Sequence, residues 1–229
     1  MIGKLLVVAI VGLVLVTPVG GVTALGQGIY LPELILETNT IELGTSCLDE
    51  RRPTRPTGEL EVVGGTSDVV GTTGELVTYA VEVEVGLPVD TDCFARVVEL
   101  TLGDDRSWVG SGRWSMQRVA TEDASIRVTL ASPGTVDAYC LPLRTGGIFS
   151  CWDGSRAMIN LWRWETGATD FGEGLIEYRS YVINHEVGHG LGFGHVGCPA
   201  AGEPAPVMMQ QSKTTGACTP NGWPTDREM

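Results

Sequence analysis

The sequence predicts an α+β domain, with a small, twisted, mainly antiparallel-edged sheet backed by two helices and followed by a loop-rich, disulfide-stapled C-terminal part. Three observations carry this expectation. Val77, Tyr79, Val81, Val83 and Val85 alternate with Thr78, Ala80, Glu82 and Glu84, the period-two signature of a strand with one buried face. Between Asp92 and Leu102 the period changes. Phe94, Val97, Val98, Thr101 and Leu102 recur at steps of three and four, as on an amphipathic helix, with Asp90, Thr91 or Asp92 to cap it. Beyond this helix the order is strands, a second helix and an irregular end, without an internal repeat, a layout that segregates helices from a sheet.

The later elements follow from similar patterns. Strands are expected at Arg113 to Val119 and at Ile126 to Ala131, where Ile126, Val128 and Leu130 alternate with Arg127 and Thr129. A fourth strand is expected at Ala157 to Trp164, and a second helix from about Leu175. The regular patterns begin at Gly71, so residues 71–229 are assigned to the domain. Residues 25–70, with Pro53, Pro56 and only brief apolar runs, read as a spacer or N-terminal extension. Residues 1–24 read as a signal peptide: Lys4 precedes an apolar run from Leu5 to Val16, Thr17-Pro18 and Gly20-Gly21 interrupt it, and Val22-Thr23-Ala24 offers a cleavage site. Uncleaved, the same stretch would serve as a membrane anchor. The domain is therefore expected to be secreted, or anchored with the domain outside.

Composition narrows the partners. Lys and Arg number 15 against 28 Asp and Glu, a net charge of -13, which repels nucleic-acid phosphates and anionic membrane surfaces. Cys47, Cys93, Cys140, Cys151, Cys198 and Cys218 form an even set in an exported chain and are expected to be disulfide-bonded. Closing short loops suggests Cys140 with Cys151 and Cys198 with Cys218, leaving Cys47 for Cys93.

The chemistry concentrates at residues 185–195, His-Glu-Val-Gly-His-Gly-Leu-Gly-Phe-Gly-His, which contain all three histidines of the chain. On a helix, His185 and His189 stack on one face at a spacing of four, so both imidazoles reach one ion at roughly 2.0 to 2.1 Å. Glu186 projects beside them as a general base. Gly192 suits the point where the helix stops and the chain reverses, bringing His195 round as third ligand. Three protein ligands leave a fourth position to water, the pattern of a catalytic rather than a structural zinc. Downstream, Pro206-Val207-Met208-Met209-Gln210-Gln211 reads as a turn beneath the metal, with Met208 favoured over Met209 as its apolar floor.

The segment from His185 to His195, with Met208 after it, resembles the metzincin clan of zinc endopeptidases. More narrowly, residues 71–224 resemble an actinobacterial exported domain family of unknown function, through Leu141-Pro142-Leu143-Arg144-Thr145, the 184–189 segment and the 206–211 segment. The clan resemblance implies one catalytic zinc on His185, His189 and His195, Glu186 as base, and a protein or peptide substrate hydrolysed by zinc-activated water. Several metzincins carry a Tyr two residues beyond the turn methionine. Gln210 stands in that place, so the resemblance names no oxyanion donor besides the metal.

Other readings compete. An exported zinc-containing binding module without turnover keeps the ligands and loses hydrolysis, and a surface structural protein needs neither. Trp108, Trp114, Trp152, Trp162 and Trp164 are expected to pack in and beside strands rather than to stack sugars, and Asp104-Asp105 and Glu122-Asp123 to sit in solvated turns. For the substrate, an exposed sheet edge is expected at Ile126 to Ala131 or Ala157 to Trp164. The chain is expected to be monomeric.

Overall fold

The computed structural model describes residues 47–49, 51 and 54–229. The expected signal segment and the first part of the expected spacer lie outside the described residues. In order come β1 (Leu60–Val62), β2 (Glu75–Glu84), α1 (Thr91–Leu102), β3 (Trp114–Arg118), β4 (Ile126–Ala131), α2 (Pro133–Tyr139), β5 (Cys151–Trp152), β6 (Arg156–Asn160), α3 (Leu161–Thr166) and α4 (Leu175–Gly190). The domain is α+β, but its sheet is mixed rather than mainly antiparallel. β2, β3, β4 and β6 run parallel, and among the described strands the antiparallel pairs are β1 on β2 and β5 on β6.

The register explains how parallel strands are reached with short connections. The sheet runs β1-β2-β4-β6-β5, and β3 also pairs with β2. Tyr79 faces Arg118, the last residue of β3, on one side and Ile126, the first residue of β4, on the other. One strand therefore ends level with where the next begins. Residues 119–125 step across β2 there, and Ser125 N donates to Thr78 Oγ1 at 3.1 Å. Parallel neighbours ordinarily need a crossover of a dozen residues or more because the chain must travel back along the sheet; half-strand staggering removes that return journey.

One face of the sheet carries the main core. Val77, Tyr79, Val81 and Val83 of β2, Ile126, Val128 and Leu130 of β4 and Ile159 of β6 pack with buried residues of α1 and α4. Helix α1 starts as its sequence suggests, with Asp90 Oδ1 accepting from Cys93 N at 3.0 Å. The opposite face is also buried, contrary to the expectation of one solvated face on β2. Glu82 is 2% and Glu84 1% exposed. Glu82 accepts from Thr129 Oγ1 and from Arg156 Nε, each at 2.8 Å. Glu84 accepts from Ser132 N at 2.7 Å and from Thr135 Oγ1 and Gly58 N at 2.8 Å. These carboxylates are tolerated inside because the approach to α2 supplies hydrogen-bond donors.

The fourth strand is shorter than its apolar run suggests. β6 ends at Asn160, whose Oδ1 accepts from Trp162 N at 3.0 Å and turns the chain into α3. Trp164 is thereby buried edge-on against Phe94, centroids 5.1 Å apart, while Trp162 stays outside. The fold also begins before Gly71. β1 joins the sheet, Leu48 bridges Val89, Val70 bridges Met116, and Cys47 is buried and bonded to Cys93. The described part of the segment read as a spacer therefore belongs to the packed domain, held by pairings with residues too distant to show in its own composition. The other disulfides join Cys140 to Cys151 and Cys198 to Cys218. They point to an oxidising environment. No helix among the described residues is long and apolar enough to cross a membrane.

Glu84→Ala strands the donors of Ser132, Thr135 and Gly58, and urea unfolding should show a loss of about 1 to 3 kcal/mol.

Candidate metal centre

Helix α4 brings His185 and His189 to the edge of the core through a buried stretch from Tyr178 to Gly188. Asn184, fully buried next to His185, fixes its rotation. Its Oδ1 accepts from Ser107 Oγ at 2.7 Å, its carbonyl from Trp108 Nε1 at 3.0 Å, and its Nδ2 donates to Gly222 O at 3.0 Å. Two glycines of the helix are required by space. A Cβ on Gly188 would overlap Met208 Sδ and lie 2.7 Å from Trp108 Cζ2; one on Gly190 would lie 2.8 Å from Ile126 Cδ1.

The chain reverses at Gly192, where φ is 94°. Phe193 N donates to Gly188 O and Gly192 N to His189 O, each at 3.0 Å, the paired bonds of a Schellman cap. Phe193 then serves twice. Its carbonyl accepts from His189 Nδ1 at 2.9 Å, and its ring stacks on Trp108 with centroids 4.7 Å apart. Val196 N donates to Met208 O at 3.2 Å, which ties the segment carrying His195 to the methionine turn.

Met208 is buried beneath Gly188, while Met209 is half-buried. Val207 O accepts from His185 Nδ1 at 2.7 Å. The turn is gripped from the far end of the domain: Glu228 accepts from Val207 N at 3.0 Å, Met208 N at 2.8 Å and Thr225 N at 2.8 Å. Gln211 Nε2 donates to Pro206 O and Asn221 O, which closes the turn on its other side. Tyr181 OH donates to Met209 O at 3.1 Å.

A carbonyl only accepts, so the Nδ1 atoms of His185 and His189 carry the protons and their Nε2 lone pairs face the site. The donor atoms of His185, His189 and His195 lie within 4.8 Å of one another, and the Nε2 atoms of His189 and His195 approach to 3.1 Å. Bonds of about 2.0 to 2.1 Å in a tetrahedron separate donors by about 3.3 Å, so the set fits a small divalent ion after slight side-chain adjustment. Burial pushes the His185 imidazole down to about 3, with the neighbouring histidines adding to this, and lowers His195 as well, so both stay neutral and free to ligate. Burial pushes the Glu186 carboxyl up to about 8; an adjacent cation would restore its charge.

These residues open onto a cleft of about 380 Å³, lined also by Leu143 to Thr145, Phe149 to Trp152, Tyr181, Gln210, Ser212 and Lys213. β4 and β6 are each paired on both sides, so neither strand expected to offer an edge does so. The strand bordering the cleft is β5, paired on one side only. Asn184, Phe193, Gln211 and Glu228 went unassigned in the sequence as supports of this site. For Asn184 and Phe193 the signal was available, since both lie in or beside the histidine motif.

Comparison with protein families finds a match to the family described as "Protein of unknown function (DUF3152)" over residues 50–222, and the chain belongs to that family. No curated protein and no solved structure matches it.

Glu228→Ala leaves the amides of Val207, Met208 and Thr225 unpaired. It should cost about 1 to 3 kcal/mol in thermal unfolding; if the three histidines hold zinc, it should also weaken that binding roughly tenfold or more in competition with a chromogenic chelator. Gly188→Ala should do the same through steric conflict with Met208 and Trp108, whereas Gly194→Ala, which meets nothing within 4 Å, should leave zinc affinity unchanged.

Proposed function

We propose that this member of the DUF3152 family is an exported, metzincin-like zinc endopeptidase, with His185, His189 and His195 as ligands and Glu186 as general base. The observation that carries the reading is the convergence of three neutral imidazole donors and one buried carboxyl on a single open cleft. Zinc, when bound, supplies Lewis acidity that acidifies water to a pKa of roughly 7 and polarises a carbonyl. Glu186 takes the proton from the attacking water and returns it to the departing amine. Met208 supports the ligands from below by filling the space left by Gly188. An extended substrate adds its backbone to the free edge of β5, whose Cys151 and Trp152 border the cleft. Three disulfides suit a secreted protein, or one anchored with its domain outside.

Gln210 gives a second reading some support. It lines the cleft where several metzincins have a Tyr, and its Oε1 is engaged by Lys213 Nζ at 3.2 Å. A zinc-containing binding module without turnover would tolerate that change.

Metal analysis by mass spectrometry, with cleavage of a peptide library, separates the two. The expected result is one zinc per chain in both the unmutated protein and Glu186→Ala, with kcat/KM lower in the variant by about 10² to 10⁴. Chelation should abolish cleavage and added zinc restore it. Zinc in both with cleavage in neither favours the binding module, and zinc in neither overturns both readings.

A further inference from the structure

We infer that the cleft recognises a substrate carboxylate through Arg144 and Lys213, an inference that rests on the peptidase reading only in taking that carboxylate to belong to a peptide. The chain as a whole is strongly acidic, with net charge -13 and lysine only at Lys4 and Lys213. The cleft reverses that sign. Arg144 and Lys213 both line it, and the only carboxylate among its lining residues is Glu186. Among the described residues neither cation forms a salt bridge, while the other described ion pairs hold arginines on carboxylates elsewhere.

Arg144 sits in the Leu141-to-Thr145 segment, and its backbone is fastened while its side chain is exposed. Thr145 is buried and its hydroxyl donates to Asp137, which also accepts from Gly147 N at 2.8 Å. Those two bonds hold the Asp137 carboxyl below the usual carboxylate range, so the anchor stays charged at neutral pH. Leu143 N donates to Cys140 O at 2.8 Å, and the Cys140–Cys151 disulfide closes the segment onto β5. Lys213 stands on the turn that follows Met208, its backbone N donating to Gln210 O at 2.9 Å. It lines the same cleft as His195.

The two cation-bearing segments are bound to each other by Arg163, which donates from Nε to Ile148 O at 3.1 Å and from Nη2 to Ser212 O at 3.2 Å. Phe149 lies between, its ring 5.5 Å from the Arg163 guanidinium and 5.7 Å from Lys213 Nζ. Two cations without a carboxylate partner among the described residues, on braced segments that line one cleft, form a receptor for a carboxylate; Lys213 Nζ is held meanwhile by Gln210 Oε1 at 3.2 Å. The carboxylate has two sources: an Asp or Glu side chain, or the free C-terminus of a peptide.

The test uses the zinc-loaded Glu186→Gln protein, which binds without turnover, and fluorescence anisotropy with three labelled peptides. These are a C-amidated peptide with one Glu, its Gln counterpart, and the Gln peptide with a free C-terminus. The expected result is on the order of tenfold tighter binding of a carboxylate peptide than of the amidated Gln peptide. That preference should shrink as NaCl rises and vanish when Arg144→Gln and Lys213→Gln are added, with melting temperature and zinc content retained. Preference for the Glu peptide identifies a side chain, and preference for the free acid a C-terminus. Equal binding of all three, binding of none, or a preference that survives the double substitution overturns the inference. Cleavage by the unmutated protein is scored separately. Selective binding without cleavage removes the peptidase reading alone, and cleavage without carboxylate preference removes this inference alone.

Discussion

The hydrogen bond from His185 Nδ1 to the Val207 carbonyl, 2.7 Å long, is the constraint around which the C-terminal part of the domain is organised. A ligand imidazole is useful only if its tautomer and ring plane are fixed, and a backbone carbonyl achieves both without adding a charge. The carbonyl must itself be fixed. Glu228 grips the amides of Val207 and Met208, Gln211 closes the turn, and Asn221 spans from Gln211 to Ala205. This region has little regular structure, yet it is dense in side-chain-to-backbone bonds, which here take the part that ladders take in a sheet.

The same solution recurs at His189. Its Nδ1 is fixed by the carbonyl of Phe193, and Phe193 is fixed by the helix cap on one side and the Trp108 ring on the other. Trp108 also donates to the carbonyl of Asn184. Both imidazoles of the helix thus answer to residues that serve the apolar core as well, so a change in core packing would be felt as a change in their orientation.

The histidine motif was legible in the sequence because its geometry is local: a helical spacing of four, a glycine at positive φ and a returning histidine all fall within eleven residues. Helix α1 and the strands β2 and β4 were legible for the same reason, each declaring its period along its own length. What was hidden depends on pairing with distant chain. The alternation of β2 does not say that β3 and β4 run parallel to it, nor that Glu82 and Glu84 will meet Arg156, Ser132 and Thr135 on a second buried face. An apolar run from Ala157 conceals the turn at Asn160, since only the asparagine side chain marks it. Glu228 looks like a solvent-facing acid in the sequence, because nothing near it announces the four donors it will accept from.

The Cys47–Cys93 bond joins residues 46 positions apart, and β1 lies within the loop it closes. A protease that cut between those cysteines would nick the chain without releasing anything, because the upstream piece would remain covalently attached to α1. Any maturation that sheds an N-terminal segment must therefore cut ahead of Cys47, or be coupled to reduction of that bond.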